Sequence, residues 1–230
     1  MYVTIPGDKS PIAFHARLPK AKLKATNSIE TFFKAGAYLF YEGDPVKCLY
    51  EVKTGILRQT RLLEDGRRQV IAFGYPGDII GFPVDGLHHT DCDVLADTRV
   101  QRYNHAALEN STRDPVLHNE LVQAALREIG AMQDHFMMLG RKSAAEKVAS
   151  FLWVLSERVG LDQGQCRLVS LPMNRADIAD FLGLTTETVS RSLSQLRKDK
   201  VIAIEGIHNV MILRPKALRG LSEGLDVMIA

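Results

Sequence analysis

At 230 residues the chain is too long for one average domain and comfortable as two, and 46% hydrophobic with 24% charged residues are ordinary globular values. A net charge of +2 hides an asymmetry: Arg141 to Gly220 carries 13 Lys/Arg against 8 Asp/Glu and the remainder 16 against 19, so only the C-terminal half suits phosphate contacts. Nowhere do about 18 apolar residues run together, and the start MYVTIPGDKSPIAFH lacks a secretory apolar core. The expectation is a soluble cytoplasmic protein with no membrane partner.

Residues Met1 to about Ser28 mix prolines and lysines with little periodicity and read as an irregular arm. From Ile29 to Tyr103 short strands alternate with turn chemistry: YEGDP at Tyr41–Pro45, a break at Gly55, EDGRR at Glu64–Arg68 and YPGD at Tyr75–Asp78. Between them lie CLYEVK, ILRQTRLL, QVIAFG and DVLADTRVQRY, rich in β-branched and aromatic residues. Asp65-Gly66 between two such runs is a hairpin signal, and strands at this spacing predict a closed antiparallel roll or barrel. Three cysteines, Cys48, Cys92 and Cys166, lie far apart without a C-x-x-C, which argues against a disulfide framework or a metal site.

Pro115 to about Leu139 changes period. Val122, Ala125, Ile129, Met132, Phe136 and Leu139 recur at threes and fours, the seam of a coiled coil. The plainer alternative is a helix packed on its own roll. Gly140-Arg141-Lys142 interrupts this pattern as a hinge, and Ser143 with Glu146 forms a capping box for a helix to Val159. Its stripe of Val148, Leu152 and Leu155 should cover the next core.

The stretch LPMNRADIADFLGLTTETVSRSLSQLRKDKV, Leu171 to Val201, reads as two helices and a tight turn. Asn174 caps the first, helped by Asp177; Ile178, Phe181 and Leu182 share its buried face; Gly183 breaks it where a left-handed residue is wanted. Thr185 caps the second helix. At about 100° per residue Val189, Leu193 and Leu196 group on one side of it, and Glu187, Ser190, Arg191, Ser194 and Lys198 on the other. That is helix-turn-helix geometry, whose second helix enters the major groove of double-stranded DNA. Glu187 and Arg191 at i, i+4 also fit an ordinary solvated ion pair, but cap, turn glycine, apolar back and basic tail agree on the reading helix. Two short strands, about Ile202–Glu205 and Val210–Leu213, then form a wing with His208 and Asn209 near its tip. The tail to Ala230 reads as peripheral. No Ser/His/Asp constellation, phosphate loop or metal cluster suggests an enzyme.

GLTTETVSRSLSQL resembles the recognition helix of the CRP/FNR family of bacterial transcription regulators, and the order of turns in the roll resembles that family's sensor domain. The run E-x-x-S-R at Glu187, Ser190 and Arg191 is similar to the FNR and FixK branch; the cyclic-AMP branch carries Arg where Thr186 stands and Gly where Ser190 stands. The resemblance implies an α+β fold with an N-terminal β-roll of cyclic-nucleotide-binding type (1–114), a long dimerisation helix (115–140) and a C-terminal winged helix-turn-helix (141–230). It also implies an activator that binds as a homodimer to TTGAT-type half-sites arranged as a palindrome with ATCAA, and contacts RNA polymerase.

Cyclic-nucleotide-binding relatives hold the phosphate with a Gly-Glu pair and a later Arg-Ser pair, whereas this chain has Gly81-Phe82 and no arginine from there until Arg99. FNR-type iron–sulfur binding needs four thiolates, and three cysteines cannot supply them. Members of FixK type act without a small effector, under an upstream oxygen-responsive system, so no cofactor is expected. The alternative is a ligand- or redox-sensing member, through haem at His88-His89, which otherwise read as a surface pair, or through oxidation of Cys48, Cys92 or Cys166. Side-chain chemistry assigns base contacts to Glu187, Ser190 and Arg191, and backbone contacts to Arg175, Thr185, Thr186, Arg197 and Lys198.

Overall fold

The structure, a computed structural model, describes residues 29–224; the expected N-terminal arm and residues 225–230 lie outside them. The described residues form two compact units, 29–130 and 131–224. Among them no helix is long and apolar enough to cross a membrane.

The first unit contains β1 (Ile29–Phe33), β2 (Tyr38–Phe40), β3 (Cys48–Leu62), β4 (Arg68–Gly74), β5 (Ile79–Ile80), β6 (Asp91–Asn104), the short α1 (Ala106–Glu109) and the first half of α2 (Pro115–Arg141). All strand pairs are antiparallel, in the order β1-β6-β3-β4, with β2 on β6 and β5 on β3. This is the expected roll. Its core is Phe40, Tyr50, Val52, Leu57, Ile80, Cys92, Val94 and Val100. Asp65-Gly66 makes the β3–β4 turn as expected, with Gly66 at φ 80°.

The expected break at Gly55 is absent: β3 runs unbroken for 15 residues. Gly55 has φ 84°, and the β3–β6 register shifts around it, so the strand bulges and bends without stopping. A Cβ there would lie 2.2 Å from Thr98 Oγ1 and 2.4 Å from the Asp97 carbonyl oxygen. Gly55→Ala is therefore expected to cost about 2–3 kcal/mol, read as a lower urea midpoint at unchanged m-value. An unmoved midpoint would mean that β3 and β6 part there without penalty.

Leu121 of α2 is buried with Leu49 and Tyr103, and Leu117 packs against them. The Tyr103 hydroxyl donates to Glu51 Oε2 at 2.6 Å, and Lys53 Nζ stands 2.6 Å from Glu51 Oε1, so this 5%-exposed carboxylate is partnered on both oxygens. α2 continues through Gly140, past the expected end near Leu139.

The second unit holds the end of α2, α3 (Ala144–Val159), β7 (Leu161–Gln163), β8 (Cys166–Ser170), α4 (Arg175–Leu182), α5 (Thr186–Lys198), β9 (Ile202–Glu205), β10 (Asn209–Ile212) and α6 (Pro215–Ser222). The sheet order is β7-β8-β10-β9. Ser143 and Glu146 form the expected capping box, and Val148, Leu152 and Leu155 are buried. The described part of the C-terminal tail, to residue 224, is not peripheral, in contrast to the expectation. Pro215 closes the wing by opening α6 at a position where its missing N–H costs nothing, and Ala217 and Leu218 are buried in a helix that packs on α3.

His135, near the end of α2, is buried and stacks on Phe181 of α4, ring centroids 4.3 Å apart. Burial pushes its imidazole down to about 4. The neutral ring belongs to the folded state, while the unfolded chain takes up a proton near 6.5. This contribution is complete above pH 6.5 and is lost as pH falls towards 4. About 2 kcal/mol should disappear between pH 7 and pH 5 in wild type, and much less in His135→Leu, by urea unfolding at both pH values. Parallel losses in the two proteins would assign the acid sensitivity elsewhere.

Candidate nucleic-acid interface

The helix pair is built by its caps. The Asp177 amide donates to Asn174 Oδ1 at 2.9 Å and the Asn174 amide to Asp177 Oδ2 at 3.1 Å, a reciprocal capping box that starts α4. Gly183 adopts the left-handed conformation, φ 61° and ψ 43°, and ends the helix. Thr185 Oγ1 then accepts the Thr188 amide at 3.2 Å and starts α5. Ile178, Phe181, Leu182, Val189, Leu193 and Leu196 are all buried, so one apolar interior locks the two helices together.

What α5 leaves outside is polar. Glu187, Ser190, Arg191, Ser194, Arg197 and Lys198 are exposed, as are Thr185 and Thr186 at its start. Arg191 donates through Nη2 to Glu187 Oε1, joining the guanidinium and the carboxylate on one face. The Ser190 hydroxyl donates to the Thr186 carbonyl at 2.9 Å, so its lone pairs and methylene are what it offers outward. Arg197 and Lys198 fall in the last turn, where cations suit the helix dipole. Arg175 opens α4 and is half-buried; desolvation lowers its pKa from the ordinary arginine value.

The wing forms as β9 and β10 around a turn of Gly206, Ile207 and His208, with Ile207 84% exposed and His208 exposed beside it. His208 is tied down: the Leu171 amide donates to its carbonyl at 2.6 Å, and its Nδ1 lies 2.9 Å from the Leu171 carbonyl oxygen. Asn209 is paired within β10.

Along α2, Ile129, Met132 and Phe136 of the expected seam are exposed, Phe136 at 75%. Val122, Ala125 and Leu139 are half-buried; Leu139 Cδ2 lies 3.7 Å from where a Cβ on Gly183 would stand. Besides Val116, which lies off this face, two exposed apolar residues of α2 are absent from the sequence reading, Leu126 and Met137. Both fall within about 60° of Val122 at 100° per residue, and a strict heptad count skips them.

A winged helix-turn-helix in a chain with a roll of cyclic-nucleotide-binding type defines a DNA-binding transcription regulator. Residues 146–221 match the Crp-like helix-turn-helix domain, and residues 30–111 the cyclic nucleotide-binding domain. The chain belongs to the CRP/FNR family of regulators. It is 38% identical over 189 residues to the nitrogen fixation regulation protein FixK of Rhizobium meliloti, covering 82% of this chain and 85% of that protein. It is 32% identical to the transcriptional activator protein FnrL of Cereibacter sphaeroides, covering 86% and 82% respectively. The structure of FixK2 from Bradyrhizobium japonicum superposes with a TM-score of 0.76 at 34% identity, covering 85% of this chain and 97% of that one.

The roll's residues do not fit the nucleotide that its domain type implies. Gly81 has φ 89°, and a Cβ there would stand 3.3 Å from both His88 Cε1 and Tyr50 Cδ2. Phe82 packs against the Leu49–Tyr103–Leu121 cluster where a ribose acceptor is wanted. Val84 and Leu87 close a two-residue turn, with Asp85 at φ 52° and Gly86 at φ 79°. The stretch 81–91 contains no Lys or Arg to meet a phosphate. Arg58 is committed to Asp93 by two bonds of 3.0 and 2.8 Å.

The histidine pair departs from the surface reading. His88 is only 4% exposed and stacks face-on on Phe40, centroids 3.7 Å apart, with its pKa lowered by burial. His89 is exposed, its Nε2 2.8 Å from Arg61 Nη1. Cys92 is fully buried, and desolvation pushes its thiol up, away from the thiolate that oxidation chemistry uses. Cys48 packs against the roll core as expected of a small hydrophobe, and Cys166 is half-buried beside the Leu213 carbonyl.

Proposed function

We propose that this regulator acts in the cytoplasm as a homodimeric activator that reads a palindrome of TTGAT-type half-sites, without a small effector, in oxygen-responsive gene control. The observation that carries the reading is the outward set on α5: a carboxylate, a hydroxyl and a guanidinium within two turns, over a fully buried apolar back. Arg191 suits guanine O6 and N7, Glu187 the cytosine N4 of the same pair, and Ser190 a neighbouring A·T pair through its lone pairs or the thymine methyl. Thr185 and Thr186 suit phosphate at the helix N-terminus, with Arg175, Arg197 and Lys198 on the flanking backbone.

In this reading residues 1–114 are arm and roll, 115–140 the dimerisation helix and 141–230 the DNA-reading domain, which an activator brings to RNA polymerase. The exposed apolar residues of α2 support the dimer, and two-fold symmetry would set the reading helices about 34 Å apart. Effector independence is supported by Phe82, by the tight turn at Val84–Leu87 and by the buried His88.

Selection from random duplexes, with and without oxygen, tests the whole reading: the same TTGAT palindrome should emerge from both. No enriched sequence would refute it, and enrichment in one condition alone would refute the absence of a direct sensor. Lys198→Ala is expected to weaken binding to all sequences about equally and to reduce the slope of log K against log salt by about 1. An unchanged slope would remove Lys198 from the phosphate contacts.

A further inference from the structure

A half-buried ammonium has to be repaid by specific acceptors, and Lys142 has them on two different helices. It follows α2 directly, its amide donating to the Met138 carbonyl at 3.1 Å. Its Nζ donates to Ser150 Oγ of α3 at 2.7 Å and to the Ser222 carbonyl, in the last turn of α6, at 2.6 Å. Ser150 and Ser222 are both 0% exposed, and the Ser150 hydroxyl also reaches the Ser222 carbonyl at 3.3 Å. A cation at the C-terminal end of α6 meets the negative end of that helix's dipole. The carboxylates of Glu146 and Glu223 add to this field, while burial lowers the Lys142 pKa. One side chain thus fastens the end of α2, the body of α3 and the end of α6. α3 in turn packs on α5. The joint expected to hinge at Gly140-Arg141-Lys142 is pinned by its own last residue.

We propose that Lys142 is a positioning residue for DNA reading: by clamping the α2–α3 joint onto α6 it fixes the direction in which α5 is presented from the end of α2. This rests on the dimeric reading above, because direction matters only when two α5 helices must meet two half-sites at once. The residue touches no DNA, so its loss leaves a single half-site untouched and relaxes the geometry of the pair.

The test is equilibrium binding of the full-length protein and of Lys142→Met to duplexes carrying one half-site, the palindrome, or palindromes with one base pair inserted or deleted at the centre. Wild type should prefer the natural spacing by about tenfold or more, and Lys142→Met should lose most of that preference while binding the single half-site as wild type does. Retained spacing preference, or equal loss on every duplex including the single half-site, would overturn the role. Wild type indifferent to the second half-site would instead overturn the dimeric reading and this proposal with it. Ser150→Ala, which keeps the bond to Ser222, covers the case in which Lys142→Met does not fold. It should show the same relaxation at smaller amplitude, and a wild-type spacing preference in that variant would overturn the proposal.

Discussion

Arg191→Ala is expected to weaken binding to a palindrome of TTGAT-type half-sites by about 2–6 kcal/mol, from one bidentate contact of about 1–3 kcal/mol in each half-site. In the free protein Arg191 is bonded to Glu187, yet both side chains are about three-quarters exposed, at 74% and 70%. Such an i, i+4 surface pair is worth only about 0.3–0.5 kcal/mol, so surrendering it to a base pair costs little. The pair also explains why the two residues are useful together. Side by side they present a double donor next to an acceptor, the complement of guanine O6 and N7 beside cytosine N4. Titration against four palindromes that differ only at the guanine position should show wild type separating them, and the variant binding all four within a few-fold. A uniform loss that preserved the ranking would make Arg191 a phosphate contact and leave base choice to other residues. Glu187→Ala, read in the same series, should relax choice at the same base pair.

The helix-turn-helix was legible almost residue by residue because its signals are local. A cap side chain reaches an amide three residues away, and a left-handed glycine needs no distant partner, so Asn174, Asp177, Gly183 and Thr185 act as the sequence suggests. The roll was legible as alternating strands and turns, but Gly55 was not, since its role depends on Thr98 and Asp97, more than forty residues away. The same glycine signal that ends a strand in one context bulges it in another. The burial of His88 is invisible in the sequence for a similar reason: a loop histidine is ordinarily exposed, and only the fold brings Phe40 under its ring. α6 lacked a visible signal because, unlike the equally short α4, it has no capping side chain at its start, and what holds it is packing on α3 and the Lys142 ammonium.

Phe136→Glu is expected to shift the protein from dimer to monomer at micromolar concentration and to reduce affinity for the palindrome about a hundredfold, with little change on a single half-site. Phe136 is 75% exposed, and Leu126, Ile129, Met132 and Met137 are all about half exposed, which is unusual for apolar residues along one helix. Burying each against a second copy would gain about 1.5–3 kcal/mol per fully covered side chain, enough to hold two long helices together. With α2 as the proposed two-fold interface, a carboxylate at Phe136 would put a desolvated charge on each copy in place of the lost apolar area. Because the side chain is so exposed, the substitution should leave the protomer's unfolding midpoint nearly unchanged. Val116→Glu is the control: Val116 is 70% exposed but lies about 120° round α2 from Val122, off the apolar row. Sedimentation velocity on the two variants separates the possibilities. A Phe136→Glu dimer as tight as wild type would move the two-fold away from this face, and dissociation by Val116→Glu would place it on the other side of α2.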